Sequence, residues 1–171
     1  GLMERRAKNN HGLWFDVTHM ELLAFLGYEN RIREVLRDDF MQKLNNQIAE
    51  DGSLQQQLAR TLSLNYSTLV CEAALQASFI AAGIGENLWT MKTASQRSLA
   101  DVVAFLFPYY KVPEKWSYKQ IRKFDNRRAT PVLLEAGKAL GNKNYIKLAY
   151  QLGMTGKSAL LMPYYDVSFS R

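Results

Sequence analysis

The sequence predicts an all-α protein made of antiparallel helix pairs. Apolar residues recur every three or four positions in most segments, which places them on one face of a helix. The alternation of apolar and polar residues that is typical of strands is nearly absent. A helical bundle, an α-solenoid and part of an α/α toroid would all show this pattern. No repeat of fixed period stands out, which counts against a regular solenoid.

Three helices are expected in the first half of the chain, because each apolar stripe there stops at a glycine or a glycine-containing turn. They cover roughly residues 14–26, 29–50 and 55–82. The stops are Gly27, the Asp51-Gly52-Ser53 turn, and Gly83 or Gly85. The third helix is long enough to be bent.

Three more helices are expected after residue 98, and their limits follow from proline, threonine and glycine positions. They run from Leu99 to Tyr109, from Thr130 to Gly141 and from Asn142 to Gly153. Pro108 and Pro113 predict a loop between the first two, which contains Tyr109, Tyr110, Trp116 and Tyr118. Thr130 is the expected N-cap of the second of these helices, and Asn142 is that of the third. Residues 154–171 show only a short apolar run, at 159–162.

The composition limits the classes of function. The formal net charge is +6, which favours a polyanionic partner: nucleic acid, an anionic membrane surface or an acidic polysaccharide. No run of about 18 apolar residues is present, so no membrane-spanning helix is predicted. The single cysteine, Cys71, lies in an apolar stretch and is expected to pack in the core.

The segment Asn9-Asn10-His11-Gly12, followed by Trp14 and Asp16, is unusual in composition. Two amides and an imidazole are poor helix formers but good hydrogen-bonding groups. Considered alone, they favour a capped helix start with an exposed histidine. In that interpretation Asn10 is a cap, Arg60 a surface charge and Tyr66 a core tyrosine.

The same segment resembles the Asn-Asn-His-Gly-x-Trp-x-Asp signature of the alginate-lyase domain family, whose fold is an incomplete α/α toroid. Three further blocks resemble that family in the same order, and together they span about residues 5–121. The first block is Asp51-Gly52-Ser53 with Leu58-Ala59-Arg60-Thr61 and Tyr66-Ser67; the second is Asn87-Leu88-Trp89; the third is Pro108-Tyr109 with Trp116-Ser117-Tyr118-Lys119-Gln120-Ile121.

The chain also departs from the family pattern. Leu13 and Phe15 stand where relatives often have Thr and Tyr, and Leu54-Gln55-Gln56-Gln57 replaces the Gln-Pro-Leu-Glu that is common after Asp-Gly-Ser, so an acidic residue is lost. The family domain is about twice as long as this chain. We therefore expect residues 1–171 to be a single domain that forms the C-terminal portion of a larger toroid, with the N-terminal half as a further partner.

The resemblance implies a polysaccharide lyase that acts on a uronate polymer by β-elimination. Such an enzyme removes the C5 proton and expels the oxygen on C4, so it needs donors that neutralise the C6 carboxylate. By the family match, Asn10 is the neutraliser and Tyr66 the base and acid. His11 assists Asn10 or acts as a base from the opposite face. Arg60, six residues before Tyr66, would bind a carboxylate and support the tyrosine from the same helix.

Other predicted contacts concern substrate binding. Aromatic rings can stack on the apolar faces of sugars, and the expected substrate-binding residues are Asn9, Trp14, Tyr109, Trp116 and Tyr118. For Trp14 core packing is an equal alternative, and His19 is expected to be structural or solvent-exposed. The basic residues Arg122, Lys123, Arg127 and Arg128 form either a solvated face or a site for additional uronates.

No zinc-type spacing and no glycine-rich phosphate loop is present, so neither a metal nor another cofactor is expected. The predicted partner is an acidic polysaccharide, most of all alginate or polymannuronate, and neither nucleic acid nor a membrane. Glucuronan or a glycosaminoglycan is the alternative substrate, and a non-catalytic polysaccharide-binding domain is the alternative function. Such a substrate suggests a periplasmic or secreted protein.

Overall fold

The computed structural model describes residue 7 and residues 9–153 of the 171-residue chain. Within that part the backbone forms helices and turns, and bridges of the strand type occur only at Ile48–Leu54 and Leu62–Gln120. The helices are α1 (Asn10–Phe25), α2 (Glu29–Glu34), α3 (Met41–Asn45), α4 (Gln55–Leu58), α5 (Ser63–Gly83), α6 (Leu99–Lys111), α7 (Thr130–Leu140) and α8 (Lys143–Gly153). A π-helical turn, Val35–Phe40, joins α2 to α3, and 3-10 turns cover Pro113–Lys115 and Asn126–Ala129. The predicted all-α class is confirmed.

Helix α1 begins four residues before its predicted start. Asn9 is its N-cap, and the Asn9 Oδ1 accepts a hydrogen bond from the His11 backbone N–H at 3.0 Å. The first turn was missed because its polar residues interrupt the apolar stripe, although an amide at the N-cap stabilises a helix start. The predicted end is confirmed, since Gly27 follows the helix with a φ of 76°.

The third predicted helix is wrong as a single element, because the chain divides it into α4 and α5. Residues 59–62 form a turn between them. The Ser63 N–H donates to the Lys119 carbonyl at 3.1 Å, so this backbone donor is bound to a distant segment rather than to a preceding turn. Arg60 therefore lies in the turn and does not share a helix with Tyr66.

Pro108 does not end its helix as predicted. Helix α6 continues to Lys111, which places Tyr109 and Tyr110 on the helix rather than in a loop. Proline removes one backbone donor, and near the end of a helix this loss affects a single bond. The Val112 N–H still donates to the Pro108 carbonyl at 3.0 Å and closes the last turn.

The start of α7 is set by a residue other than the one predicted. Thr130 is already helical, and its buried hydroxyl has no hydrogen-bond partner. The side chain of Asp125 instead caps the preceding 3-10 turn by accepting from the Arg127 backbone N–H at 3.1 Å. The predicted stop at Gly141 and the cap at Asn142 are confirmed, since Gly141 has a φ of 65° and the Asn142 Oδ1 accepts from the Asn144 N–H. The apolar run at 159–162 lies outside the described residues.

Helix α5 is the centre of the core and packs against α1, α4, α6 and α7. Small residues such as Ala73 and Ala77 are fully buried on it, which lets the neighbouring helices approach closely. Burial raises the pKa of the Cys71 thiol to about 12, in agreement with its predicted packing role. The Tyr110 hydroxyl, also fully buried, donates to the Thr68 Oγ1 at 3.2 Å and ties α6 to α5.

Gly52 and Gly83 provide a matched test of this packing. Gly52 has a φ of 84°, and a Cβ there would lie 2.4 Å from the Asp101 carbonyl oxygen. We expect Gly52→Ala to lower the free energy of unfolding by at least about 2 kcal/mol, because strain and overlap add. Gly83→Ala adds a methyl group in open space on a helix and should stabilise by about 0.5–1 kcal/mol. Urea denaturation followed by circular dichroism measures both, and equal effects would contradict the expectation.

Candidate active site

Arg60 brings together residues from two separate helices. Its guanidinium carbon lies 3.6 Å from the centroid of the Tyr66 ring, on α5. Its Nη1 donates to the Asn10 Oδ1, on α1, at 3.4 Å. Three of the four predicted catalytic residues therefore meet at one place, although Asn10 is fifty positions from Arg60 in sequence.

His11 follows Asn10 in the first turn of α1. The Asn10 side chain is buried, with 3% of its surface exposed, whereas His11 is exposed. Asn9 is occupied as the N-cap, so its side-chain oxygen holds the helix start. The interpretation of this motif as a capped helix start is thus correct for Asn9. Because Asn9 is the cap, the Asn10 side chain is not needed for that role.

Asn10, Arg60 and Tyr66 form what we call the Arg60 group. Several polar atoms of this group and of the neighbouring His11 have no partner within the described part of the chain. The hydrogen bond from Arg60 uses the Asn10 Oδ1 and leaves the two donors on Nδ2 unused. The Tyr66 hydroxyl and the His11 ring likewise form no hydrogen bond with residues 7 or 9–153. Two N–H donors, a phenol and an imidazole are therefore available to a ligand at this surface.

A buried ion pair fixes α1 beside α3. The Lys43 Nζ lies 2.6 Å from both carboxylate oxygens of Asp16 and 3.4 Å from the Gly12 carbonyl oxygen. Asp16 is only 1% exposed, and its burial raises the pKa of the carboxyl group even though Lys43 acts in the opposite direction. Both contacts of Lys43 fall within two turns of Asn10, so this pair sets the position of the N-terminal end of α1.

Gly12 is required where α1 begins. A Cβ at Gly12 would lie 1.9 Å from the Ala7 carbonyl oxygen and 3.2 Å from the Lys43 Cδ. The incoming chain and the lysine stem both pack directly on this glycine. The glycine in the Asn-Asn-His-Gly segment therefore serves packing rather than chemistry.

Residues 116–121, which we call the clasp, hold the first turn of α5. The Trp116 Nε1 donates to the Ser63 Oγ at 2.7 Å, and the Ser63 hydroxyl donates to the Lys119 carbonyl at 2.7 Å. The Ile121 N–H donates to the Thr61 carbonyl at 3.0 Å. Both ends of the clasp are thereby attached next to the Arg60 turn.

Gln120 completes the clasp with its side chain. Its Oε1 accepts from the Leu64 backbone N–H at 3.1 Å, which satisfies a donor that the start of a helix leaves open. Its Nε2 donates to the Asn65 Oδ1. Because Asn65 precedes Tyr66, the clasp sets the orientation of the turn that carries the phenol.

The predicted substrate-binding aromatics occupy different environments. Trp116 is 8% exposed and packs against Tyr109 and Tyr118, with ring centroids 4.8 and 4.9 Å away. Its role as a sugar-stacking surface is therefore not supported, because both its polar atom and its ring are used in the clasp. Tyr109 and Trp14 are partly buried against the core, and Tyr118 is 37% exposed. Of these aromatic rings, Tyr118 is the most open to a ligand.

The sequence profile of a family described as alginate lyase matches residues 1–116 of this chain. This range includes Asn10, His11, Arg60 and Tyr66. The chain belongs to the alginate lyase family. A search of curated proteins finds no match.

A solved structure extends the likeness to the fold. The crystal structure of an alginate lyase from Bacteroides ovatus matches with a TM-score of 0.85 and 28% identity over 96% of this chain. This confirms the predicted class, helix pairs that form part of an α/α toroid. The chain spans 44% of the length of that alginate lyase.

Several blocks shared with the alginate lyase family have structural roles. The Asp51 Oδ1 accepts from the Ser53 N–H at 2.9 Å. Hydrogen bonds from the Ser53 side chain and backbone lower the pKa of the Asp51 carboxyl group. The Asn87 Oδ1 accepts from the Trp89 N–H at 3.1 Å in a similar turn. Both are turns in which a short polar side chain folds back on its own backbone. Neither of these two turns contributes a side chain to the contacts of Arg60, although Arg60 and Tyr66 belong to the same family block as Asp51.

The structural roles of Lys43 and Gln120 were missed by the sequence analysis, although Gln120 is part of the third family block. Asp16 belongs to the Asn-Asn-His-Gly-x-Trp-x-Asp signature, but its partner is 27 residues away and no local pattern connects them. Gln120 is 55 positions from Asn65, and its side chain has no signal for capping another helix. An acidic residue in a largely apolar helix was the available hint that a cation from elsewhere must pair with Asp16.

The described residues contain no cluster of three or more His, Cys, Asp or Glu that could hold a metal ion. No helix in that part of the chain is long and apolar enough to cross a membrane. A cleft of about 620 Å³ is lined by residues that include Met41, Asn45 and Lys92. None of the four predicted catalytic residues is among the lining residues of this cleft.

The Asp16–Lys43 pair gives a pH-dependent test. Lys43→Met leaves a buried carboxylate without a counter-charge, which we expect to cost about 3–5 kcal/mol near neutral pH. The penalty should shrink as the pH falls, because the raised pKa of Asp16 means that the folded protein takes up that proton first. Urea denaturation at several pH values measures this.

Two controls accompany the Lys43→Met variant: a double variant that removes both charges, and a variant that breaks an exposed ion pair. Asp16→Asn with Lys43→Met removes both charges and should recover most of the lost stability. Arg31→Met breaks the exposed pair with Glu34 and should cost less than about 1 kcal/mol. A penalty that does not change with pH, or a double variant as unstable as Lys43→Met, would contradict the assignment.

Proposed function

We propose that this protein is a polysaccharide lyase that cleaves a uronate-containing acidic polymer by metal-independent β-elimination. Alginate, especially its mannuronate blocks, is the proposed substrate. The observation that carries the proposal is the position of Arg60 between Asn10 and Tyr66, with the Asn10 amide donors and the Tyr66 hydroxyl unpaired in the described chain. Membership of the alginate lyase family supports the same chemistry.

The first requirement is to make the C5 proton removable. The neighbouring C6 carboxylate opposes this while its charge is exposed, and donors at that position stabilise the enolate-like intermediate. The Asn10 Nδ2 supplies two donors, because Arg60 occupies only the amide oxygen. His11, the next residue along the first turn, adds a third group on the exposed side of α1. These residues neutralise the carboxylate without a metal ion.

The second requirement is a base at C5 and an acid at O4. In a syn elimination, as on mannuronate, Tyr66 acts as the phenolate and takes the C5 proton, and the resulting phenol gives that proton to O4 as the C4–O4 bond breaks, so its charge is restored within the cycle. The guanidinium of Arg60 lies over the ring and places positive charge beside the oxygen as that oxygen loses its proton. In an anti elimination His11 is the base from the opposite face.

The proposal concerns the full-length protein. The chain spans less than half of the length of the matched alginate lyase. We infer that a second wall, from the other half of a toroid, completes the cleft. A uronate polymer is met outside the cytoplasm, so a periplasmic or secreted location fits the proposal.

A substrate screen tests the reaction. Each elimination leaves a C4–C5 double bond conjugated with the carboxylate, and this absorbs in the ultraviolet. The full-length protein is mixed with polymannuronate, polyguluronate, glucuronan, hyaluronan and chondroitin, with and without a chelator. We expect absorbance to rise with polymannuronate and to persist with the chelator. Absence of product from all five polymers would leave the non-catalytic binding domain as the better description.

Tyr66→Phe tests the assigned base. We expect kcat to fall by at least about a hundredfold, since a positioned acid–base group contributes roughly that much or more. Polymer binding should survive, because Asn10, His11 and Arg60 remain. Tyr150→Phe, at an exposed tyrosine on α8, is the control and should leave the rate unchanged. Unchanged turnover in Tyr66→Phe would remove Tyr66 from the mechanism.

A further inference from the structure

The basic residues near the clasp divide into two groups in the structure. Arg127 pairs with Asp125, and Arg128 binds the carboxylate of Glu72 on α5 with two hydrogen bonds. These two arginines therefore support the fold. The remaining cations, Lys119, Arg122 and Lys123, are exposed and form no ion pair with any described residue. We call these three residues the basic ridge.

The ridge is attached directly beside the Arg60 turn. The Leu62–Gln120 bridge is antiparallel, and the hydrogen bonds on either side of it join Ser63 to Lys119 and Ile121 to Thr61. Arg122 follows Ile121, whose N–H binds the carbonyl of the residue next to Arg60. Unpaired positive charge thus lies on the segment that is joined to the Arg60 turn.

An aromatic ring lies at the other end of the same segment. Tyr118 is 37% exposed, and its ring centroid is 4.9 Å from that of Trp116. Trp116 is fixed by its hydrogen bond to Ser63, so it supports Tyr118 from behind. A supported ring next to unpaired cations can contact both the apolar face and the charged group of an acidic sugar.

We propose that the basic ridge is a second uronate-binding site, in which Arg122 binds the carboxylate of a sugar next to the one that is cleaved. This inference rests on the proposed function, because it assumes that the polymer passes the Arg60 group. A uronate polymer carries one carboxylate on every sugar, and cations on two adjacent segments match such a regular row. Tyr118 lies against the ring of a bound sugar, and Lys119 and Lys123 add to the attraction.

Arg122→Ala is the main test. The Arg122 side chain can be removed without breaking the clasp, since only its carbonyl accepts from Gln120. We expect KM for long polymannuronate to rise about tenfold, as loss of one charge-assisted contact would give, while kcat changes little. Arg122→Lys should recover part of the loss. Lys147→Ala, which removes an exposed cation on α8, is the matched control and should leave KM unchanged.

Binding is measured separately from turnover. In a Tyr66→Phe background, calorimetry with polymannuronate should show about tenfold weaker affinity when Arg122 is also replaced by Ala. The affinity should also depend less on salt, because one ionic contact is lost. A single-stranded oligonucleotide of similar charge serves as the comparison ligand, and Arg122→Ala should affect its binding less.

The two proposals fail in different ways. If the unaltered protein forms no unsaturated product, the proposed function fails, and calorimetry then decides on the ridge. If the unaltered protein is active but Arg122→Ala leaves KM and polymer affinity as they were, the ridge proposal is wrong. An equal loss of oligonucleotide and polymer binding would also overturn it, since the ridge would then attract any polyanion.

Discussion

The candidate site depends on the contact of one guanidinium with two helices. Arg60 lies in the turn before α5, and it binds the Asn10 amide oxygen and covers the Tyr66 ring. A charged hydrogen bond and a cation–π contact are each worth on the order of 1 kcal/mol, so their value here is geometric more than energetic. They set which atoms of Asn10 and Tyr66 face outward. A flexible cation at this point would leave two unrelated polar groups on separate helices.

Two supports keep that contact in place, and they approach it from opposite sides. The Asp16–Lys43 pair fixes α1, and the clasp fixes the first turn of α5 through Trp116 and Gln120. The blocks shared with the alginate lyase family therefore divide by role. A few positions form the candidate site around Arg60, while others hold those few positions in place.

Local rules predicted much of the fold and rather less of the site. The glycine stops at Gly27 and Gly141 are correct, because a left-handed residue after a helix is a property of a few neighbouring residues. Arg60 was expected on the same helix as Tyr66, since nothing near it in sequence shows that Ser63 is bound to Lys119. The Asn10, Arg60 and Tyr66 group followed from family resemblance rather than periodicity. Lys43 and Gln120 act through partners tens of residues away, which a single sequence does not reveal.

The π-helical turn between α2 and α3 affects how α1 is held. In a regular α-helix each residue adds a rotation of about 100°, so the number of residues between α2 and α3 would fix the rotation of one relative to the other. The wider Val35–Phe40 turn takes up extra chain and changes that relative rotation. Ile32, before this turn, is buried in the core, and Lys43, after it, pairs with Asp16. Shortening the turn by one residue would rotate the lysine away from α1, and the candidate site would lose a support although none of its own residues had changed.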